Sequence, residues 1–188
     1  MSQSQNQEIQ GIAADKVTHW MTQRIDGLAE PLSFELIAGG HSNLTYSVVD
    51  RQNRIFVLRR PPLGHVLESA HDMSREHKII TALAGSQVPV ASTIGLCPDV
   101  TVNDAPFYVM DYVAGPVLHD AEVTAAIPAD ERSALGDHVV DVLAALHRID
   151  PDTVGLGDLG RKEAYLQRQL KRWSKPVSYT HLRAHETR

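Results

Sequence analysis

Apolar positions recur along the chain with two different periods, and the changeover between them divides it. From Ala13 to Leu28 the spacing is helical: Val17, Trp20, Met21, Ile25 and Leu28 share a face with Arg24, its only charged member. "FELI" (34–37), "LTYSVV" (44–49) and "RIFVLR" (54–59) are short and rich in β-branched and aromatic residues, and "DRQNR" separates the last two. They predict three strands of an antiparallel meander. "PPLGH" (61–65) ends the third, and a helix follows from Ser69 or Asp72, both able to cap it, to Ala84. "STIGL" and "PFYVMDYV" read as two more strands, with "VNDAP" (102–106) in or near the turn before the last.

Beyond residue 114 only helical periods remain. Leu135, Val139, Val142, Leu143 and Leu146 line one face of a helix from Asp130 to about His147, and a last helical stretch, Arg161 to Trp173, follows the glycine-rich "TVGLGDLG". The expected fold class is therefore α+β: a lobe of five antiparallel strands plus helix, then a helical lobe. The expected boundaries are a disordered N-terminus (1–12), the mixed lobe (13–113) and the helical lobe (114–173).

Composition narrows the function. The 188 residues are 43% hydrophobic, enough for a core, and the net charge of -5 with scattered Lys and Arg provides no basic stripe for nucleic acid. The start, "MSQSQNQEIQG", is polar, with no leader-like or membrane-spanning run, so a cytoplasmic location is expected and no membrane partner. The single cysteine, Cys97, rules out an internal disulfide and reads as a buried thiol at a strand end.

Four features carry candidate chemistry. In "GGHSN" (39–43) two glycines between strands make a hairpin, and they also let backbone N–H groups approach phosphate oxygens, with the Ser42 hydroxyl as a further donor. The spacing is neither a dinucleotide fingerprint nor a Walker loop. In "FVLRR", Val57 and Arg59 share one face of the strand while Phe56, Leu58 and Arg60 share the other, so one arginine faces each side. In "SREHKIITALAG", Glu76 lies on the stripe of Ile79, Ile80 and Leu83. A carboxylate on an inward stripe needs a cation, and Arg59 on the adjoining strand is the predicted partner. Such a pair could merely pin helix to sheet or could orient a phosphate-binding cation. Finally, "FYVMDYVAG" (107–115) leaves its sheet at a Gly-Pro connection, where exposed backbone can bond a flat base beside Met110.

In this order, glycine loop, strand cation, helix glutamate and hinge, the sequence resembles the nucleotide-binding lobe of the aminoglycoside phosphotransferase family, relatives of the protein kinases and choline kinases. Through "GGHSNLTY", "FVLRRPP", "REHKII", "FYVMDYVAG", "VGLGDLG" and "YLQRQLKRW" it resembles the branch that includes the kinase-like domain of certain acyl-CoA dehydrogenase family members. The resemblance covers about residues 10–173. It implies a protein-kinase-like fold, ATP with Mg2+, and a hydroxylated small molecule such as a hydroxyacyl-CoA as acceptor. It makes Gly39, Gly40, Ser42 and Asn43 the phosphate-covering loop, Arg59 the counterpart of the family's strand lysine and Glu76 its helix partner. Met110, Asp111 and Val113 then border the adenine, through the backbone from Asp111 to Val113.

Arginine at 59 departs from the strand lysine of the wider kinase pattern, though it is common in this branch, and two further departures limit what the resemblance implies. The family's H-G-D catalytic loop, with Asn a few residues later, and its later metal-binding Asp motif do not occur in the 188 residues. "LHRID" (146–150) has the wrong spacing, and His147 reads as a helix-end cation. No catalytic residue and no metal ligand is therefore assigned, and nucleotide binding without transfer, in a regulatory module or an inactive fragment, is the alternative function. After Trp173, "SKPVSYTHLRAHETR" breaks the branch's pattern and resembles a translated adapter, so 174–188 is expected to be a non-native tail on a truncated helical lobe. Within it His181 and His185 stand four residues apart with Glu186 beside them, and no third ligand is in view to make a metal site.

Overall fold

The computed structural model describes residues 9–38, 43–64, 71–118, 121–160, 163–171 and 173–174. The chain divides into two compact units, residues 1–150 and 151–188. In the first, the order is α1 (Ala14–Thr22), β1 (Ser33–Ala38), β2 (Leu44–Val49), β3 (Ile55–Arg60), α2 (Met73–Leu83), β4 (Thr93–Cys97), α3 (Val100–Asn103), β5 (Phe107–Asp111), α4 (Ala121–Ala125) and α5 (Ala129–Arg148). The second holds turns over 151–160 and helical residues at 165–171 and 173–174.

The five strands form one antiparallel sheet in the order β1-β2-β3-β5-β4. Strand alternation gives its two faces opposite characters. Phe34, Tyr46, Val48, Phe56, Leu58, Phe107 and Val109 pack into the apolar core with Val17, Trp20 and Met21 of α1. Burying each such side chain stabilises by about 1.5–3 kcal/mol, so this face holds the lobe together. Trp20 meets Phe107 edge to face at 5.0 Å and lies over Gly95, where a Cβ would stand 3.2 Å from its ring. A side chain at 95 would push the indole off the sheet. Cys97 is buried at the end of β4, as expected, and burial, the largest influence, pushes its thiol pKa up.

The opposite face is more polar. Cross-strand registry sets Thr45, Arg59 and Tyr108 in one row and Ser47, Val57, Met110 and Thr93 in the next. Helix α2 packs over β4 and β5 on this side, through a Thr81–Thr93 hydroxyl contact of 2.8 Å and the His77 ring 6.0 Å from that of Tyr108.

Several boundaries differ from the sequence reading. Helix α1 stops at Thr22 rather than Leu28: Arg24 N and Ile25 N both turn back to Met21 O, and Gly27 takes φ 65°. Ile25 and Leu28 still pack against the core, so their spacing reports burial after the helix has ended. The expected turn at 102–106 contains the end of α3, which Asp99 caps by accepting from Thr101 N at 2.9 Å, before Asp104 turns left-handed at φ 53°. Helix α4 was not expected either. Helix α5 forms as read, with Leu135, Val139, Leu143 and Leu146 of its apolar face exposed.

Candidate nucleotide site

The polar face of the sheet brings Arg59 and Glu76 together. Asp72 starts α2 by accepting from Arg75 N at 3.0 Å, which places Glu76 in the first turn, where the helix dipole favours a negative charge. Arg59 projects from the end of β3 on the same side, and its Nε lies 3.4 Å from Glu76 Oε2. Both side chains are about one-third exposed, at 30% and 32%. The Arg59 Nε atom itself is buried and has no hydrogen-bond partner among the described residues. The contact is thus an ion pair without hydrogen-bond alignment, and it leaves donor capacity on the guanidinium.

The carboxylate is held by other groups. Glu76 Oε1 accepts from Asn43 Nδ2 at 2.5 Å, and Oε2 accepts from Tyr108 Oη at 3.1 Å. A carboxylate only accepts, so Asn43 must turn its NH2 towards Glu76 and its Oδ1 towards His71 Nδ1, 2.6 Å away. His71 consequently carries its proton on Nδ1. Burial pushes the Tyr108 hydroxyl far above its ordinary pKa; the Arg59 charge opposes this, while the charge and hydrogen bond of Glu76 add to it. The phenol therefore remains a donor throughout the working range. Burial lowers the pKa of the neighbouring His77, which favours its neutral form.

Of the other residues expected at the site, Gly39, Gly40 and Ser42 lie outside the described residues. Asn43 is buried, and its side chain is committed to protein partners. Met110 is half-buried in the row with Val57 and Thr93. Asp111 ends β5 with its N–H donated to Ser92 O at 2.9 Å, so that N–H is not free for a base. Val113 is 70% exposed. The proposed tail, with His181, His185 and Glu186, is also outside the described residues.

Sequence reasoning did not single out Tyr108 or His71. Tyr108 sits directly across from Arg59, a relation set by the β3–β5 pairing. Period-2 alternation along "FYVMD" already puts Tyr108 and Met110 on one side, but which strand lies opposite is a matter of topology.

The family model for the phosphotransferase enzyme family matches residues 33–187. The chain belongs to this family. As a family member it is 36% identical over 138 residues to acyl-CoA dehydrogenase family member 10 of Mus musculus, covering 72% of this chain and 12% of that protein. Against acyl-CoA dehydrogenase family member 11 of Gallus gallus the figures are 36% over 147 residues, 78% and 18%. A crystal structure from Ralstonia eutropha, of a protein classed with the aminoglycoside phosphotransferases, superposes with a TM-score of 0.71 at 36% identity, covering 88% of this chain and 47% of that one. The chain thus spans less than a fifth of these two relatives and about half of the solved structure. Its α+β kinase-like fold and its resemblance to the acyl-CoA dehydrogenase branch agree with the sequence reading.

Among the described residues, no group of three or more His, Cys, Asp or Glu side chains converges as a metal site would require. Nor is any helix among them long and apolar enough to cross a membrane.

Proposed function

We infer that this chain is the nucleotide-binding part of an ATP-dependent small-molecule kinase. The observation that carries the reading is the Arg59–Glu76 pair on the polar face of the sheet, with a buried guanidinium Nε that has no hydrogen-bond partner among the described residues. A cation so placed can meet the α- and β-phosphates with its planar fork, while Glu76 limits its swing. Gly39, Gly40 and Ser42 then cover the phosphates. The adenine edge takes backbone bonds from the segment Asp111 to Val113 beside Met110, with Asp111 contributing its carbonyl because its N–H is already used. ATP brings the γ-phosphoryl group, and its Mg2+ finds no protein ligand set among the described residues. The likeness to acyl-CoA dehydrogenase family members supports a hydroxylated acyl-CoA or similar metabolite as acceptor.

One observation favours a second reading. The 188 residues hold no H-G-D segment to position an acceptor hydroxyl, so the chain as it stands binds nucleotide without transferring phosphate. Calorimetric titration with ATP tests the shared core of both readings. The expected result is saturable binding that Arg59→Ala weakens by about tenfold or more, the loss of a charge-assisted hydrogen bond worth about 1.5–3 kcal/mol. Equal binding by the two proteins removes Arg59 from the site, and no binding by the wild type removes the nucleotide reading. Phosphate transfer to a hydroxyacyl-CoA by this chain would favour the kinase over the non-catalytic binder.

A further inference from the structure

Glu76 meets more donors than an ion pair needs. Its Oε1 is held by Asn43 and its Oε2 by Tyr108, both with buried side chains, whereas Arg59 approaches Oε2 only at 3.4 Å and forms no hydrogen bond to it. A carboxylate free to choose would close on the guanidinium, since charge-assisted bidentate pairing is the stronger contact. Here the carboxylate accepts from two uncharged donors instead. Tyr108 is fixed by its strand position opposite Arg59, and Asn43 by its second bond to His71, just before the cap of α2.

We propose that Tyr108 and Asn43 are positioning residues that clamp the Glu76 carboxylate, so that it orients Arg59 by charge while leaving the guanidinium's donors available for the phosphates of ATP. Asn43 has a second consequence. Its side chain joins the residue just before β2 to the first turn of α2. This proposal rests on the nucleotide reading above and assigns roles to two side chains that need not touch the nucleotide.

The test is a double-mutant cycle on ATP affinity in the full 188-residue chain, using Tyr108→Phe with and without Arg59→Ala. With the hydroxyl gone, Glu76 Oε2 is expected to close on Arg59. ATP binding by Tyr108→Phe should then weaken about fivefold, the scale of one partly lost hydrogen bond to a charged group. In the Arg59→Ala background the same change should alter affinity less than twofold, because its route is through the arginine. A merely structural role for Tyr108 predicts equal losses in both backgrounds, and that result overturns the proposal, as does unchanged affinity in Tyr108→Phe alone. Thermal unfolding of each variant establishes that it is folded. Should Tyr108→Phe fail to fold, Asn43→Ser, which withdraws the donor on Oε1, goes through the same cycle with the same criteria. A wild-type chain that binds no ATP takes down the nucleotide reading first and this proposal with it; a wild type that binds, with additive losses, takes down this proposal alone.

Discussion

Arg59 and Arg60 are adjacent in the chain and face opposite sides of the sheet, so replacing each should cost very different amounts of stability. Arg60 is 5% exposed and donates to three backbone carbonyls: Pro61 O at 3.2 Å, Asn103 O at 3.3 Å and Gly11 O at close range. Arg60→Met keeps most of the stem and removes the donors, leaving those carbonyls unsatisfied. Hydrogen bonds from a charged donor are worth about 1.5–3 kcal/mol each, and relief from burying a guanidinium offsets part of the loss. The net expectation is a destabilisation of about 2–4 kcal/mol. For Arg59→Ala the only ion pair lost among the described residues is one about one-third exposed on each side, so screening limits the loss to about 0–1 kcal/mol. Equilibrium urea unfolding followed by tryptophan emission measures both. Of the two tryptophans, Trp20 is buried and Trp173 exposed, so the change in signal reports on α1 and the core. A midpoint for Arg60→Met equal to wild type, or a loss from Arg59→Ala as large as that from Arg60→Met, would refute this division of labour.

Two further predictions concern the same lobe. Gly11 has φ 83°, and a Cβ there would stand 2.9 Å from Leu63 Cδ2 and 3.1 Å from both Arg60 Nη1 and Tyr46 Oη, whereas one at Gly27 (φ 65°) meets nothing within 4 Å. Gly11→Ala should therefore destabilise by about 2–3 kcal/mol and Gly27→Ala by only about 1, read as shifts in thermal midpoint; equal shifts contradict the packing argument. Asp50 accepts from Gln52 N, Arg54 N and Ala29 N and from the Arg54 guanidinium. Burial pushes its pKa up, but the Arg54 bonds, followed by those from Ala29 and Gln52, outweigh it and hold the carboxyl below its ordinary value. A folded-state pKa below the unfolded one contributes stability above about pH 4, and this is lost as pH falls through the folded value. The stability gap between wild type and Asp50→Asn should thus narrow on acidification below pH 4; a gap that stays constant down to pH 2 contradicts it.

What could be read from the chain alone was whatever local periodicity encodes. The strands "LTYSVV" and "RIFVLR", the helix carrying Glu76, the long amphipathic α5 and the opposite facing of Arg59 and Arg60 all follow from periods of 2.0 and 3.6. The Arg59–Glu76 pair was also legible, because an acidic residue on a stripe facing the sheet calls for a cation from the adjoining strand. Tertiary structure decided where those periods stop and which distant groups meet. Helix α1 ended early although its apolar spacing ran on, because burial and helical hydrogen bonding need not end at the same residue. Tyr108 reached Glu76 because β5 inserts between β3 and β4, and Asn43, expected at a phosphate loop, turned inward to His71 and Glu76. Hydrogen bonds between residues 28 to 33 positions apart depend on how strands and helices are arranged in space, and that arrangement leaves no local signature in the order of residues.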